Sequence, residues 1–332
     1  MQTPATHTDA AATAGGATDS AGTAGGTAAT TPSTSAGTAG GDAVTATATG
    51  AGAATTADPA DGARRAAYRS FVALGDSFTE GMSDLLPDGG YRGWADLLAA
   101  RLAALDPDFR YANLAVRGKL IRQIADDQVE TAAAMGADLV TLVGGLNDVI
   151  RPRCDVAAVC ALLERSVERL APSCGQLVLM RSPIRRGPVA TRFTPRMEEL
   201  FDFVDALAAR HGAVVVDLYG AQALRDPRMW DVDRLHLTAE GHERVAEAVW
   251  QALGLPAESD WRRVLPPTAR PGWSARRAAD LSFTRRHLLP WIGRRLTGRS
   301  SGDGRPPKRP DLLPYPAPAA PAGPDADPTR TA

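Results

Sequence analysis

Three features of the sequence predict an α/β fold in which helices cover both faces of a parallel sheet. Short aliphatic runs alternate with longer segments of helical period between about residue 68 and residue 254. The longer segments carry their apolar residues on one face. Polar, glycine-containing clusters fall just after the short runs, where open sheets of this kind bind ligands.

The short runs are Ser70 to Gly75 (SFVALG), Tyr111 to Val116 (YANLAV), Leu139 to Val143 (LVTLV), Leu177 to Met180 (LVLM) and Ala213 to Val216 (AVVV), which predict five buried strands. Between them, Trp94, Leu97, Leu98, Leu102 and Leu105 share one helical face. So do Val156, Val159, Leu163, Val167 and Leu170, and again Met197, Leu200, Phe201, Val204 and Leu207. A last helix is expected to start with Thr238 as N-cap and to end before Gly254 and Pro256. The expected product is a three-layer αβα sandwich with a five-stranded parallel sheet, flavodoxin-like in arrangement. Right-handed crossovers then bring every strand's C-terminal end to one edge.

Composition divides the chain into three parts. Residues 1–65 are almost entirely Ala, Thr, Gly, Ser and Asp, too poor in large apolar side chains to offset the entropy of ordering, and are expected to be a disordered tail. Residues 66–256 form the predicted globular domain. Residues 257–332 form a basic, Pro/Arg-rich extension, and from residue 256 onward fourteen Arg or Lys face seven Asp or Glu. No base-stacking aromatic pattern accompanies that charge, so nucleic acid is not an expected partner. The stretch from Asp280 to Gly298 mixes apolar residues with paired arginines. Pro290 interrupts it, which favours packing on the domain over peripheral membrane contact.

The sequence shows no basic start followed by an apolar run and no stretch of membrane-spanning length, which makes a cytoplasmic location the expectation. Cys154, Cys160 and Cys174 match no metal-ligand or redox spacing. Free thiols are expected, with a Cys154–Cys160 bridge as the alternative.

Four polar clusters carry candidate chemistry. Gly75-Asp76-Ser77-Phe78-Thr79-Glu80-Gly81 puts a serine on a turn at the sheet edge, where Asp76 and Ser77 would serve equally well as turn caps. In Asn113-Leu114-Ala115-Val116-Arg117-Gly118 the glycine lets backbone approach a ligand. In Gly144-Gly145-Leu146-Asn147-Asp148 the asparagine offers an N–H donor or an Asx turn. Asp233-Arg234-Leu235-His236 sets a carboxylate three residues before a histidine, a spacing that lets it hold one imidazole nitrogen while the other faces a nucleophile. His242 is expected on a helix face turned away from the site, in a surface or packing role. Tyr91 and Trp94 are candidates for the pocket border or, more commonly at this spacing, for the core.

Together the segments GDSFTEG, NLAVRG, GGLND and DRLH resemble, in this order, the four sequence blocks of the SGNH or GDSL-type hydrolases, over about residues 70 to 253. The Ser, Gly, Asn and His of those blocks fall on Ser77, Gly118, Asn147 and His236, and the acid close ahead of the histidine falls on Asp233. The resemblance implies a serine esterase or lipase with Ser77, Asp233 and His236 as catalytic triad. The backbone N–H groups of Ser77 and Gly118 with the Asn147 amide are the implied oxyanion hole. Neither a cofactor nor a metal is implied. The implied substrate is a small-molecule, lipid or sugar ester, and the alternative from another class is a non-catalytic anion- or ligand-binding module on the same fold.

Overall fold

The computed structural model of the chain describes residues 68–185, 187–269, 272–290, 293 and 300–316. The tail expected over 1–65 lies outside the described residues. The five predicted strands are all present: β1 (Ser70–Leu74), β2 (Arg110–Asn113), β3 (Leu139–Leu142), β4 (Gln176–Arg181) and β5 (Val214–Asp217). They pair in parallel, and the order across the sheet is β5-β4-β3-β1-β2 followed by one further strand, β6 (Arg309–Pro314).

The expected five-stranded, wholly parallel sheet is thus corrected to six strands, because β6 runs antiparallel along β2 with Tyr111 opposite Leu313. Nothing in its sequence, RPDLLP, alternates in hydrophobicity, and Pro310 and Pro314 remove two backbone donors. An outer edge tolerates both, since only one side of β6 is paired. Tyr315 N–H extends the pairing to Phe109 O at 2.9 Å, and the Tyr315 ring meets Tyr111 edge-on at 5.2 Å.

Alternation along β1 feeds two cores. Phe71 and Ala73 face the layer built by α2 (Gly93–Ala103) and α5 (Ala239–Ala252), with Trp94, Leu98, Leu102, Val245 and Val249 fully or nearly buried. Val72 and Leu74 face the opposite layer, formed by the 121–135 helical stretch, α3 (Val156–Leu170) and α4 (Thr194–His211). Thr238 caps α5 as expected, accepting from Gly241 N–H. Cys154, Cys160 and Cys174 are all free.

The extension also forms α6 (Trp273–Phe283), which buries none of its residues. It touches the domain through Arg234, whose guanidinium pairs with Asp280 at 2.6 Å and lies 4.4 Å over the Phe283 ring. Trp273, Leu281 and Leu289 stay exposed. Among the described residues of Asp280 to Gly298, this contact is one that joins the stretch to the domain. Among the described residues no helix is long and apolar enough to cross a membrane.

One close approach fixes where the first turn of the site lies. The short helix α1 (Ser77–Glu80) ends at Gly81, left-handed with φ 93°, and a Cβ on Gly81 would lie 2.5 Å from Arg92 O. A Cβ on Gly93, itself at φ +82°, would collide with the Gly81 backbone. Two backbones touch here with no room for side chains. Gly93→Ala is expected to destabilise the fold by about 2 kcal/mol or more, from left-handed strain plus the collision. A denaturant midpoint equal to that of the unsubstituted protein would contradict this contact.

Candidate active site

The chain passes from β1 to β2 on one side and later returns to β3 on the other, so the strand order reverses between β1 and β3. Crevices open at such a point beyond the C-terminal strand ends. A cleft of about 60 Å³ lies there, lined by Asp76 and Ser77 after β1, Gly144 and Asn147 after β3, Ser182 and Pro183 after β4, and by Trp230, Leu235 and His236.

The end of β1 is held from behind by Gln128. Its amide accepts from Gly75 N–H at 2.8 Å and donates to Gly75 O at 2.9 Å. Gln128 lies in a π-helical turn, Ala125–Val129, which interrupts the helical stretch and aims this amide at the strand end. Asp76 then caps α1, accepting from Phe78 N–H at 3.1 Å, and Ser77 is the first helical residue.

The segment from Trp230 to Leu237 folds back on itself. These two residues bridge in antiparallel fashion, and Asp231 N–H donates to His236 O at 2.9 Å. Ser83 donates to Asp231 Oδ2 at 2.9 Å, tying this loop to the turn after α1. Asp233 receives the N–H groups of Leu235 and His236 at 2.9 and 3.0 Å. Its Oδ2 lies 2.5 Å from His236 Nδ1, and His236 Nε2 lies 3.0 Å from Ser77 Oγ. A carboxylate beside Nδ1 leaves the proton on that nitrogen and makes Nε2 the acceptor for the serine hydroxyl. Burial pushes the Asp233 carboxyl up, but the His236 ring and the two N–H donors outweigh it and hold the group below its ordinary value.

The other two sequence candidates are placed differently. Asn147 lines the cleft, yet its amide donates to Asp76 Oδ2 at 2.9 Å and to Lys119 O at 3.1 Å. Gly118 (φ +74°) is not among the residues lining the cleft, and a Cβ there would collide with Ser300 Oγ. Asp148 supports the neighbouring loop by accepting from Ile121 N–H at 3.0 Å. Tyr91 and Trp94 do not line the cleft. Trp94 is fully buried under Phe78, with ring centroids 5.9 Å apart, and Tyr91 lies under the Arg117 guanidinium.

Residues 73–244, just over half of the chain, match the profile of the GDSL-like Lipase/Acylhydrolase family. The chain belongs to that family. Membership supports a carboxylic ester hydrolase. Among solved structures, this GDSL-family protein is similar to LAE5, an alpha/beta hydrolase enzyme from the metagenome of Lake Arreo. The two share 25% identity over 56% of this chain and 95% of that one, with a TM-score of 0.48. It is also similar to a catalytic mutant of Axe2, an acetylxylan esterase from Geobacillus stearothermophilus, at 21% identity over 59% of this chain and 96% of that one, with a TM-score of 0.49. No curated protein matches the chain.

Two titratable groups beside Ser77 and His236 carry signals that motif spacing does not show. Burial raises the Asp76 carboxyl to about 6 against the lowering effects of Phe78 N–H, His236 and Asn147. His242, expected on a helix face turned away from the site, instead lines the cleft: it is buried, accepts from Trp94 N–H on Nδ1 at 3.2 Å and sets Nε2 against Met82 O at 3.1 Å. Burial lowers it to about 4, although the Met82 bond and the Asp84 charge act the other way. It is a structural histidine that stays neutral, as its two partners require.

Unfolding would let His242 take up its proton near its ordinary 6.5 rather than near 4. The unfolded chain thus binds more protons in that window, and this contribution to stability is lost as pH falls from about 6.5 toward 4. Asp76 acts in the opposite sense, because its folded carboxyl binds a proton near 6 and its unfolded one near 3.8. The His242 effect is therefore isolated as a difference. Relative to His242→Gln, whose amide can keep one acceptor and one donor, the unsubstituted protein should lose up to about 3 kcal/mol of advantage between pH 7 and pH 4. A pH-independent difference in denaturant midpoint would refute the buried neutral state.

Proposed function

We propose that this GDSL-family protein is a serine ester hydrolase that works through an acyl-enzyme on esters of short acyl chains. The observation that carries the reading is the continuous contact from Asp233 through His236 to Ser77 at the mouth of the cleft. In this mechanism His236 Nε2 takes the Ser77 hydroxyl proton as Oγ attacks the ester carbonyl. Asp233 holds the imidazole tautomer and stabilises the imidazolium that forms. Collapse of the tetrahedral intermediate breaks the bond to the alcohol, which leaves with the proton from His236. Water then gives a proton to His236 and attacks the acyl group, returning Ser77 and releasing the acid.

The proposed oxyanion donors are Ser77 N–H, Gly118 N–H and the Asn147 amide. As charge develops, Asn147 exchanges its bond to Asp76 for one to the substrate oxygen, a tightening common in sites viewed without substrate. Gly118 does not line the cleft as the loop stands, so the same role requires its N–H to turn toward the substrate oxygen while residues 300–302 hold the loop around Arg117.

Cleft size supports the short acyl chain. The cleft volume of about 60 Å³ is on the order of four waters, a fit for an acetyl-sized group. Phe78, Met82, Pro183, Trp230 and Leu235 make its lining largely apolar. Acetyl and butyryl esters should turn over much faster than octanoyl esters, and Ser77→Ala should abolish turnover with the fold intact. A preference for long chains would overturn the acyl assignment. No turnover of any ester would favour the non-catalytic binding module.

Asn147→Ala should lower kcat roughly 10²-fold to 10³-fold, about 3 to 4 kcal/mol, with KM little changed, because its proposed bond exists only in the transition state. A rise in KM alone would make Asn147 a substrate-recognition residue instead.

A further inference from the structure

The 300–316 segment lies outside the stretch that matches the family, yet it lies against both loops that the proposed mechanism uses. Ser300 lies against Gly118, and Gly302 is so close to Arg117 O that no Cβ fits between them. Six residues on, the Lys308 ammonium reaches three backbone carbonyls and one carboxylate: Glu80 O at 2.7 Å, Arg92 O at 2.6 Å, Tyr91 O at 3.1 Å and Asp96 Oδ2 at 2.7 Å. An ammonium has only three protons, so the 3.1 Å contact is the shared one. The Lys308 side chain is 22% exposed, and β6 begins at the next residue.

Glu80 is the last residue of the helix that begins with Ser77, and its carbonyl is one of those a short helix leaves without an internal partner. Its side chain accepts from Arg117 N–H at 2.7 Å and from Arg117 Nε at 2.9 Å, with a further contact to the guanidinium. The Arg117 guanidinium lies 4.8 Å from the Tyr91 ring centroid. The contacts form one chain: Lys308 to Glu80, Glu80 to Arg117, and Arg117 to the adjacent Gly118.

We propose that Lys308 is a positioning residue, through which the 300–316 segment fixes the nucleophile helix and the Gly118 loop relative to each other. The proposal rests on the hydrolase reading for its kinetic consequence, since the two loops carry the proposed nucleophile and two of the proposed oxyanion donors. Displacements on the order of an ångström in such a constellation cost about 10²-fold in rate.

The test compares Lys308→Met, Lys308→Arg and the double variant Lys308→Met with Asp96→Asn in the full chain. The double variant removes the carboxylate that Lys308→Met would leave without its cation, and so protects the fold. Kinetics on a short-chain ester and amide hydrogen exchange across residues 77–82 and 114–119 are measured on each. Lys308→Met should lower kcat roughly tenfold to a hundredfold with KM nearly unchanged and should speed exchange in both segments. Lys308→Arg should restore part of kcat. The double variant should remain slow, because the carbonyls of Glu80 and Arg92 still lack their donor. Full recovery in the double variant would show that Lys308 only neutralises Asp96, and unchanged exchange or unchanged kcat would equally overturn the proposal. Absence of ester turnover in the unsubstituted protein would instead count against the hydrolase reading, and the exchange data would still decide whether Lys308 holds the two loops.

Discussion

Strand β1 lies between two parallel neighbours that the chain reaches in opposite directions, β2 next and β3 after a return crossing. Both faces of β1 are buried, so its register is set by two cores at once: Phe71 and Ala73 on one side, Val72 and Leu74 on the other. The residues just beyond it inherit that precision. Gln128 reinforces it by pairing with both backbone groups of Gly75. Ser77 thus projects from a point with almost no freedom, while Asp233 and His236 come from a loop tied back through Ser83 and Asp231.

How much of this was legible in the sequence depends on the range of the interactions involved. The five parallel strands were visible because each centres on a short, mainly apolar run, and the α5 cap was visible because Thr238 acts within three residues. Asp233 and His236 were legible as a pair for the same reason, since a spacing of three places them on one turn. The sixth strand was not: Pro310 and Pro314 argue against a strand locally, and its partner Arg110 is remote in sequence. Gln128 and Lys308 were equally invisible. A glutamine in a helix and a lysine beside prolines carry no pattern, and their importance comes from backbone groups brought to them by the fold.

The environment of Ser77 sets two carboxyl groups apart. Asp233, given an imidazole and two N–H donors, is held below its ordinary range, whereas burial raises Asp76 even with two hydrogen-bond donors in place. Asp233 lies on the far side of the imidazole from Ser77 and Asp76 on the near side; a carboxyl raised only to about 6 is still mainly ionised at pH 7, so the near-side charge falls away first only as pH drops below about 6. Asn147 donates to the near-side carboxylate, which couples the Asp76 protonation state to the side chain proposed to bind the oxyanion.

The pairing of β2 with β6 joins residues farther apart in sequence than any other strand pair in the described sheet. A ribosome releases chain from its N-terminal end, so the five parallel strands and the Ser77, Asp233 and His236 segments leave the exit tunnel before Arg309 does. Until then the outer edge of β2 presents unpaired backbone groups, as any exposed strand edge does. The nascent domain therefore passes through a stage in which the Ser77, Asp233 and His236 segments are complete but its sheet is still open along one side.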